Sequence, residues 1–211
     1  MIRSLFAKVV ALLAVLLFPP SCYVCNKEGE ALCDACLATF PSAIDLPFPY
    51  CSSLYAFKDA RMKKIMYAIK YFHRKDLLPI LAQKLVEKHT DVFLHDRILV
   101  PIPMPRSRMY ARGYNHTEAL CEELSKQTTL ATRTDILLRS KAKKQRRQVE
   151  VSSRQKRIEN QEHAFVVEQD LPSLRIILVD DVVTTGATLR FARQELLKRG
   201  AASVVAVTIA H

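Results

Sequence analysis

The stretch RIILVDDVVTTGATL, residues 175–189, places two adjacent carboxylates and a threonine-glycine turn directly behind an apolar segment. The segment predicts a buried strand that would deliver Asp180 and Asp181 to the carboxyl edge of a parallel sheet, where open α/β folds bind ligands. Backbone N–H groups at a helix start, hydroxyl groups and a glycine that permits close approach are typical of a phosphate cradle. The predicted cradle consists of Thr184, Thr185, Gly186, Ala187 and Thr188.

The two carboxylates indicate what carries the phosphate. Each can accept hydrogen bonds from vicinal hydroxyls, and the pair favours a divalent cation and a developing positive charge on a sugar. The turn lacks the lysine of a nucleoside triphosphatase phosphate loop. A receiver-like domain with a phospho-accepting aspartate is a rival, but only 30 residues follow Asp181, too few for the later strands of that fold. The order acid, acid, phosphate loop therefore predicts a ribose 5-phosphate site.

Four cysteines form the second chemical motif, Cys22, Cys25, Cys33 and Cys36, spaced C-x2-C-x7-C-x2-C. Each C-x2-C pair can direct two thiolates at one point, and a turn over residues 26–30 would complete a tetrahedral sulfur site for zinc. Four protein ligands leave no open coordination position, so the zinc would be structural. Two disulfides are the alternative, and an export signal at the N-terminus would favour them. The remaining cysteines, Cys51 and Cys121, are expected to be small buried residues.

Segments with strand and helix patterns alternate around these motifs. Met62, Ile65, Met66 and Ile69 recur at helical spacing, as do leucines over residues 77–85, which predicts two amphipathic helices. Strands are expected at 97–103, 174–181 and 203–210, with helices at 117–126 and 187–199. DILLR and HAFVV are expected to be two strands that bracket a long polar excursion. This alternation predicts an α/β fold with a mostly parallel sheet covered by helices on both faces.

The N-terminus combines Arg3 and Lys8 with an apolar run over residues 9–18 that two prolines end. Spanning a bilayer takes about 20 apolar residues, so this run is too short. Because no small-x-small cleavage site precedes Pro19, a helix that packs on the protein or lies on a membrane surface is favoured over an export signal. The expected parts are an apolar helix (1–20), a four-cysteine zinc-binding module (21–45) and an α/β domain (46–211), in a cytoplasmic protein.

The formal charge of +11 indicates an anionic partner, and most of the excess lies in one segment. Residues 139–157 contain nine lysines and arginines against the single acid Glu150, a net excess of eight. We expect residues 139–165 to form a basic flexible loop. Its candidate nucleic-acid-binding residues are Lys141, Lys143, Lys144, Arg146, Arg147, Arg154, Lys156 and Arg157.

Residues 176–189 resemble the signature of type I phosphoribosyltransferases, which bind 5-phosphoribosyl 1-pyrophosphate (PRPP) through this acidic pair and turn. The cysteines behind LLFPPSC, the stretch VPIPMPRSRMYARGYNHTEAL and the stretch RQKRIENQEHAFVV together resemble the ComF/GntX family. Members of that family combine a small zinc-binding module with the phosphoribosyltransferase fold, and the resemblance covers nearly the whole chain. Two positions depart from the family pattern: His116 stands where members often have glutamine, and Cys51 alone represents a second cysteine module.

The resemblance implies a type I phosphoribosyltransferase-like sheet over residues 46–211 and a small N-terminal zinc knuckle. It implies that Asp180 and Asp181 are the catalytic residues, that residues 184–188 are the 5-phosphate loop, and that Mg²⁺ binds with PRPP. The loop after LVPIP would bind the pyrophosphate, because guanidinium groups bind such oxygens bidentately. The residues that would do so are Arg106, Arg108, Arg112 and Gly113.

Two functions remain open. The ComF resemblance implies a factor of DNA uptake in natural transformation, whose partners would be single-stranded DNA and the uptake machinery. The alternative is a glycosyltransferase of nucleobase or nucleotide salvage that moves a phosphoribosyl group from PRPP and has no role with nucleic acid. A pyrophosphate needs about two or three cations, so the larger excess in residues 139–157 favours several backbone phosphates of single-stranded DNA. Whether the protein is an enzyme stays open at this point.

Overall fold

The structure, a computed structural model, describes residues 19–94, 96–140 and 164–211. Nearly all of the predicted N-terminal apolar helix lies outside the described residues, as do the eight candidate cations from Lys141 to Arg157. The chain divides into two compact units, Met1–Phe40 and Pro41–His211. In the described ranges, no helix combines the length and the apolar character that crossing a membrane requires.

The described part of the smaller unit, residues 19–40, is a cysteine-containing turn followed by a short helix, α1 (Asp34–Leu37). Ser21 and Glu28 form an isolated antiparallel bridge, and the Cys22 N–H donates to the Lys27 carbonyl at 2.8 Å. Leu32 and Leu37 are almost completely buried in this unit. So few apolar side chains make a very small core, and domains of this size usually depend on metals or disulfides.

The larger unit is built on a four-stranded sheet in which every pair of neighbours is parallel, in the order β1-β6-β5-β2. A separate two-stranded antiparallel sheet pairs β3 with β4. The strands are β1 (Cys51–Tyr55), β2 (Arg97–Pro101), β3 (Leu138–Arg139), β4 (Phe165–Val166), β5 (Arg175–Val182) and β6 (Ser203–Ala210).

The larger unit has five described α-helices: α2 (Ala60–Tyr71), α3 (Leu78–Lys88), α4 (Arg106–Arg112), α5 (His116–Thr128) and α6 (Ala187–Lys198). A short 3-10 turn, Lys75–Leu77, joins α2 to α3. Asp59 caps α2 by accepting the Arg61 N–H at 2.8 Å, and Pro79 occupies the first turn of α3. Each of the two helices buries one apolar stripe, as the spacing predicts.

Strand β5 is buried on both faces, which is typical of a parallel sheet between helical layers. Ile176, Ile177, Leu178 and Val179 each expose 1% or less of their surface. Ile176 and Leu178 belong to the core beneath α6, while α5 packs against β2 and β5. This confirms the predicted phosphoribosyltransferase-like arrangement of a parallel sheet with helices on both faces.

Several boundaries differ from the sequence predictions. Residues 51–55 were not expected to form a strand, yet β1 pairs with β6 at the sheet edge. The loop predicted after β2 contains the short helix α4, which has no buried residue. The strands predicted at DILLR and HAFVV are confirmed, although each has only two residues. Cys51 and Cys121 are buried, as expected.

Candidate functional site

The candidate site lies where the neighbouring strands β2 and β5 end. Pro101 pairs with Val179 in parallel register, and the Ile102 N–H donates to the Val179 carbonyl at 2.9 Å. The connection after β2 therefore begins beside Asp180, which is the next residue of β5. This register brings residues about 80 positions apart in sequence to one edge of the sheet.

Asp181 is held between Lys70 and the imidazole of His116. Its Oδ2 lies 2.9 Å from His116 Nε2 and forms an ion pair with Lys70 Nζ, while its Oδ1 accepts the Val182 N–H at 2.7 Å. The Asp181 side chain is only 10% exposed. Burial alone would raise the pKa of Asp181, but the hydrogen bond from His116 and the charge of Lys70 outweigh it and lower that pKa. His116 and Lys70 therefore hold Asp181 in the carboxylate form.

Asp180 has the opposite electrostatic environment. Burial and the neighbouring Asp181 carboxylate raise the pKa of Asp180 well above its usual range. The charge of Lys70 and the Asp181 N–H, which donates to Asp180 Oδ1 at 2.9 Å, oppose that shift and are outweighed. A carboxyl group with a raised pKa at the wall of a cavity lacks sufficient counter-charge.

The turn that follows β5 has the geometry of an anion-binding helix start. Gly186 adopts the left-handed conformation at φ 71° and precedes α6. The Ala187 N–H donates to Thr185 Oγ1 at 3.5 Å, and the N-cap residue, Gly186, has no side chain to cap the first turn. A Cβ at Gly186 would collide with the Phe48 ring, so both the backbone and the packing require glycine here.

Two adjoining cavities open at this edge. The smaller, about 60 Å³, is lined by Asp180 and the turn, and the larger, about 240 Å³, also reaches α2, α4 and α5. Asp180, Val182 and Thr188 line both cavities, so one ligand can extend from the turn across the carboxylates. The cations of the larger cavity are Lys70, Arg108, Arg112 and Arg139, and its carboxylates are Asp180 and Asp181. This excess of two positive charges suits an anionic ligand.

The run from Arg112 to His116 is positioned by a series of local contacts. Gly113 ends α4 in a left-handed conformation, and the Tyr114 hydroxyl donates to the Ile69 carbonyl of α2. Asn115 Oδ1 caps α5 by accepting the Thr117 N–H at 3.2 Å, and Asn115 Nδ2 donates to Glu118 at 2.8 Å. These contacts place Arg112 and His116 on two walls of the larger cavity.

The predicted pyrophosphate residues separate into two groups. Arg108 and Arg112 line the larger cavity, while Arg106 is exposed and Gly113 lies at the helix end, and neither of these two lines it. The five residues from Thr184 to Thr188 all line the smaller cavity.

Three ionisable residues of the larger cavity are not among the site residues predicted from the sequence: Lys70, His116 and Arg139. Lys70 lies in an ordinary amphipathic helix and His116 was noted only as a departure from the family pattern. Arg139 was counted with the basic segment, but its Nε donates to the Pro103 carbonyl at 3.1 Å. The departure from the family pattern at His116 could have indicated a site residue. The position follows Asn115, which caps the helix α5 beside the cavity.

The four N-terminal cysteines form a compact group in the smaller unit. Their Sγ atoms all lie within 4.8 Å of one another, with Cys25 and Cys33 Sγ atoms 3.7 Å apart, and all four thiols are free. A tetrahedron with Zn–S bonds of about 2.3 Å has S–S edges of about 3.8 Å, so the group fits zinc. Burial opposes ionisation of Cys22, but N–H donors including that of Cys33 outweigh it and lower the pKa of Cys22 to about 6. This cluster could therefore hold a metal ion as predicted.

Comparison with known proteins gives the family. A family model, the phosphoribosyl transferase domain, matches residues 119–211. DNA utilization protein YhgH of Salmonella typhimurium is 30% identical over 146 residues, 66% of this chain and 63% of that protein. Competence protein F of Haemophilus influenzae is 31% identical over 102 residues, 48% and 44% of the two chains. Competence protein ComFC of Bacillus subtilis is 30% identical over 162 residues, 74% and 62%. These comparisons support the ComF family for this chain.

The aligned part of this chain spans 63% of the length of the Salmonella relative. Among solved structures, a ternary substrates complex of hypoxanthine phosphoribosyltransferase from Trypanosoma cruzi aligns with a TM-score of 0.38 and 16% identity. That alignment covers 64% of this chain and 65% of the other.

Proposed function

We propose that this ComF-family protein binds PRPP, or a related ribose 5-phosphate, with Mg²⁺ at the carboxyl edge of β2 and β5, and that it acts in DNA uptake. The observation that carries the proposal is the pair of adjoining cavities that share Asp180, Val182 and Thr188. The smaller cavity has the form of a phosphate site, and the larger cavity is rich in cations. Together they match a ligand that has anionic groups at both ends of a sugar.

The turn before α6 would hold the 5-phosphate. The free N–H groups of the first helical turn give the N-terminal end of α6 a positive partial charge. An anion is therefore favoured at that end. Thr185 and Thr188 add hydroxyl donors on the wall of the smaller cavity. Gly186 permits the left-handed turn that starts α6, and its missing Cβ leaves room for the Phe48 ring.

Asp180 and Asp181 would have different roles at the ribose. Asp180, which lines both cavities, would accept hydrogen bonds from the ribose hydroxyls. Asp181 is fixed by Lys70 and His116, so it would support a developing positive charge on the sugar without moving. If the protein catalyses transfer, this fixed negative charge is the contribution that the chain itself makes to breaking the bond at the anomeric carbon.

Mg²⁺ fits this site because Asp180 lacks counter-charge. Its raised pKa is the property expected of a carboxylate that a cation would neutralise, and oxygen ligands are those that Mg²⁺ prefers. When bound, Mg²⁺ would supply charge compensation for the pyrophosphate. Arg108, Arg112 and Arg139 would bind the remaining pyrophosphate oxygens from the larger cavity.

Thermal unfolding tests the binding proposal. Adding PRPP with Mg²⁺ is expected to raise the melting temperature of the wild type, because a ligand bound only by the native state stabilises it by about 2.7 kcal/mol at 100 times Kd. Asp180→Asn is expected to lose this rise. Asp135→Asn removes an exposed aspartate that pairs with Arg133, and this control should keep it. A wild type that shows no rise would contradict the proposal.

The DNA part of the proposal rests on the names of the relatives and on charge. The matched proteins are named for DNA utilization and for competence. Residues 139–157 carry a net excess of eight positive charges, which suits the phosphates of single-stranded DNA. Binding of an oligonucleotide should weaken steeply with salt, and more steeply than in a variant with Lys143, Lys144, Arg146 and Arg147 replaced by glutamine. Binding that is independent of salt would contradict this part.

Salvage chemistry predicts a different result. A nucleobase phosphoribosyltransferase would release pyrophosphate from PRPP when its base is added, with no change caused by DNA. Pyrophosphate release measured across a set of nucleobases separates the two proposals.

A further inference from the structure

Helix α2 and the residue after it expose three aromatic side chains that contact one another. Tyr67 is 54% exposed, Tyr71 50% and Phe72 63%. The Tyr67 ring centroid lies 4.6 Å from that of Tyr71 and 5.5 Å from that of Phe72. We call Tyr67, Tyr71 and Phe72 the aromatic platform. The side chains that α2 buries in the core are other ones, so the three rings are not needed for packing. Adjoining exposed rings of this size are typical of a binding surface.

The surroundings of the aromatic platform are strongly basic. Residues 60–75 contain six lysines and arginines and no acid. Lys63 and Lys64 are exposed and lie one helical turn before Tyr67, on the same side of α2. The acids that flank this segment each pair with one of its cations, Asp59 with Arg61 and Asp76 with Arg74, which leaves a net excess of four positive charges in residues 59–76. A partner for this surface must therefore offer flat apolar faces together with negative charge.

The aromatic platform is continuous with the larger cavity. Arg112 Nη2 donates to the Tyr71 hydroxyl at 3.1 Å, and the Arg112 guanidinium lies 4.8 Å from the centre of the Tyr71 ring. Arg112 also lines the cavity, as does Lys70, which precedes Tyr71 in α2. A chain bound on the platform would therefore pass the mouth of the sugar-phosphate site.

We propose that the aromatic platform binds single-stranded nucleic acid by stacking two or more bases on Tyr67, Tyr71 and Phe72, with Lys63 and Lys64 at the flanking phosphates. Bases provide the flat faces and phosphates the negative charge, and stacking on aromatic side chains is tolerant of sequence. A duplex hides its base faces, so the surface selects single strands. The inference rests on the DNA part of the proposed function and deepens it, because it places the bases on α2 and not on the basic segment 139–157, which has no aromatic residue.

Fluorescence anisotropy with a labelled oligothymidylate of about 16 nucleotides and a duplex of equal length tests the proposal. The paired variant Tyr67→Ala/Tyr71→Ala is expected to raise the Kd for the single strand roughly 10-fold or more, because each stacked base contributes substantially to affinity. Tyr71→Phe keeps the ring and loses only the hydroxyl bonded to Arg112, so it should bind within about twofold of the wild type. Tyr110→Ala removes another exposed tyrosine, on α4, and serves as the matched control.

The charged flank has its own measurement. The variant Lys63→Gln/Lys64→Gln should lower the slope of log Kd against log salt by up to about two, one for each phosphate contact. Its tyrosines remain, so its preference for single strands over duplex should persist.

The outcomes are distinct. If the wild type binds the single strand and Tyr67→Ala/Tyr71→Ala binds it equally well, the aromatic platform is not the site, while the DNA part of the proposed function stands. If Tyr110→Ala loses as much affinity as the paired variant, the loss does not belong to the platform and the inference fails. If the wild type binds no single strand at all, the DNA part of the proposed function fails together with the inference. The paired variant should still show a PRPP-dependent rise in melting temperature, reduced at most by the loss of the Tyr71 contact with Arg112, which shows that the sugar-phosphate site is intact.

Discussion

Asp180 and Asp181 are neighbours in sequence but differ in charge state and in role. The pKa of Asp180 is raised by burial and by Asp181, whereas His116 and Lys70 lower the pKa of Asp181. Two neighbouring carboxyl groups whose pKa values are shifted in opposite directions by their surroundings are typical of sites where the two groups have different functions. In the function that we propose, Asp181 supplies a fixed negative charge, while Asp180 takes up a proton in the free protein and faces a cation in the complex.

Asp180→Asn is expected to stabilise the ligand-free protein at pH 8. Because the folded-state pKa of Asp180 is raised, the wild type loses stability as the pH rises above about 4, the pKa of an unfolded aspartate. The neutral amide avoids that loss, so the difference in melting temperature should shrink as the pH falls toward 4. Melting curves at several pH values measure it. A variant that melts below the wild type at pH 8 would contradict the assigned charge state.

Lys70→Met should shift acid unfolding to higher pH. The lowered pKa of Asp181 contributes stability that is present above the pKa of unfolded aspartate and is lost as the pH falls through the folded value. Without Lys70 the folded value rises, so this loss begins at a higher pH, and the stability at pH 7 falls by about 2 kcal/mol. Lys198→Met, which breaks an exposed pair with Glu195, is the control and should leave the acid transition unchanged.

The site residues that could be predicted from the sequence are those that lie next to one another along the chain. The acids and the turn from Thr184 to Thr188 stand in one stretch, so their chemistry is evident from types and spacing. Lys70 lies 111 positions before Asp181 and looks like any cation of an amphipathic helix. Its ion pair depends on the packing of α2 beside β5, which no local pattern records.

At the scale of the elements, helices and strands with a strong apolar periodicity could be predicted from the sequence. Elements without such a periodicity could not. Strand β6 runs over the predicted residues, and α2 and α3 bury the predicted stripes. Helix α4 buries no residue, so it has no apolar stripe from which a helix could be predicted. Strand β1 follows a proline-rich link and contains two serines, and its place is set by pairing with β6.

The start of α6 provides a prediction at this scale. Gly186→Ala should destabilise the protein by more than the roughly 1–2 kcal/mol of a left-handed alanine, because the new Cβ also meets Phe48. Gly200→Ala is the matched control, since it has φ 88° and open space around the added Cβ. Denaturant unfolding measures both, and PRPP-dependent melting should be weaker only in the Gly186 variant. Equal destabilisation of the two variants would show that Phe48 moves aside without cost.

At the scale of the whole molecule, the two units depend on different forces. The larger unit buries a continuous apolar core, while the apolar side chains buried in residues 19–40 of the smaller unit, apart from Cys22, are those of Ala31, Leu32, Leu37 and Phe40. We propose that zinc organises the smaller unit, and we expect about one zinc per chain in the purified protein. Cys33→Ser should lose the metal, whereas Cys51→Ala, which removes a buried thiol of the larger unit, should keep it. Retention of zinc in Cys33→Ser would contradict the assignment.

The claim that unites these scales is that one sugar phosphate spans the two adjoining cavities. Phosphorus-31 NMR of PRPP with Mg²⁺ tests it most directly, because the 5-phosphate and the pyrophosphate give separate resonances. We predict that the wild type shifts or broadens both, and that Arg108→Ala/Arg112→Ala weakens the response of the pyrophosphate more than that of the 5-phosphate. If the folded, metal-loaded wild type leaves both resonances unchanged, the two cavities do not form the proposed site.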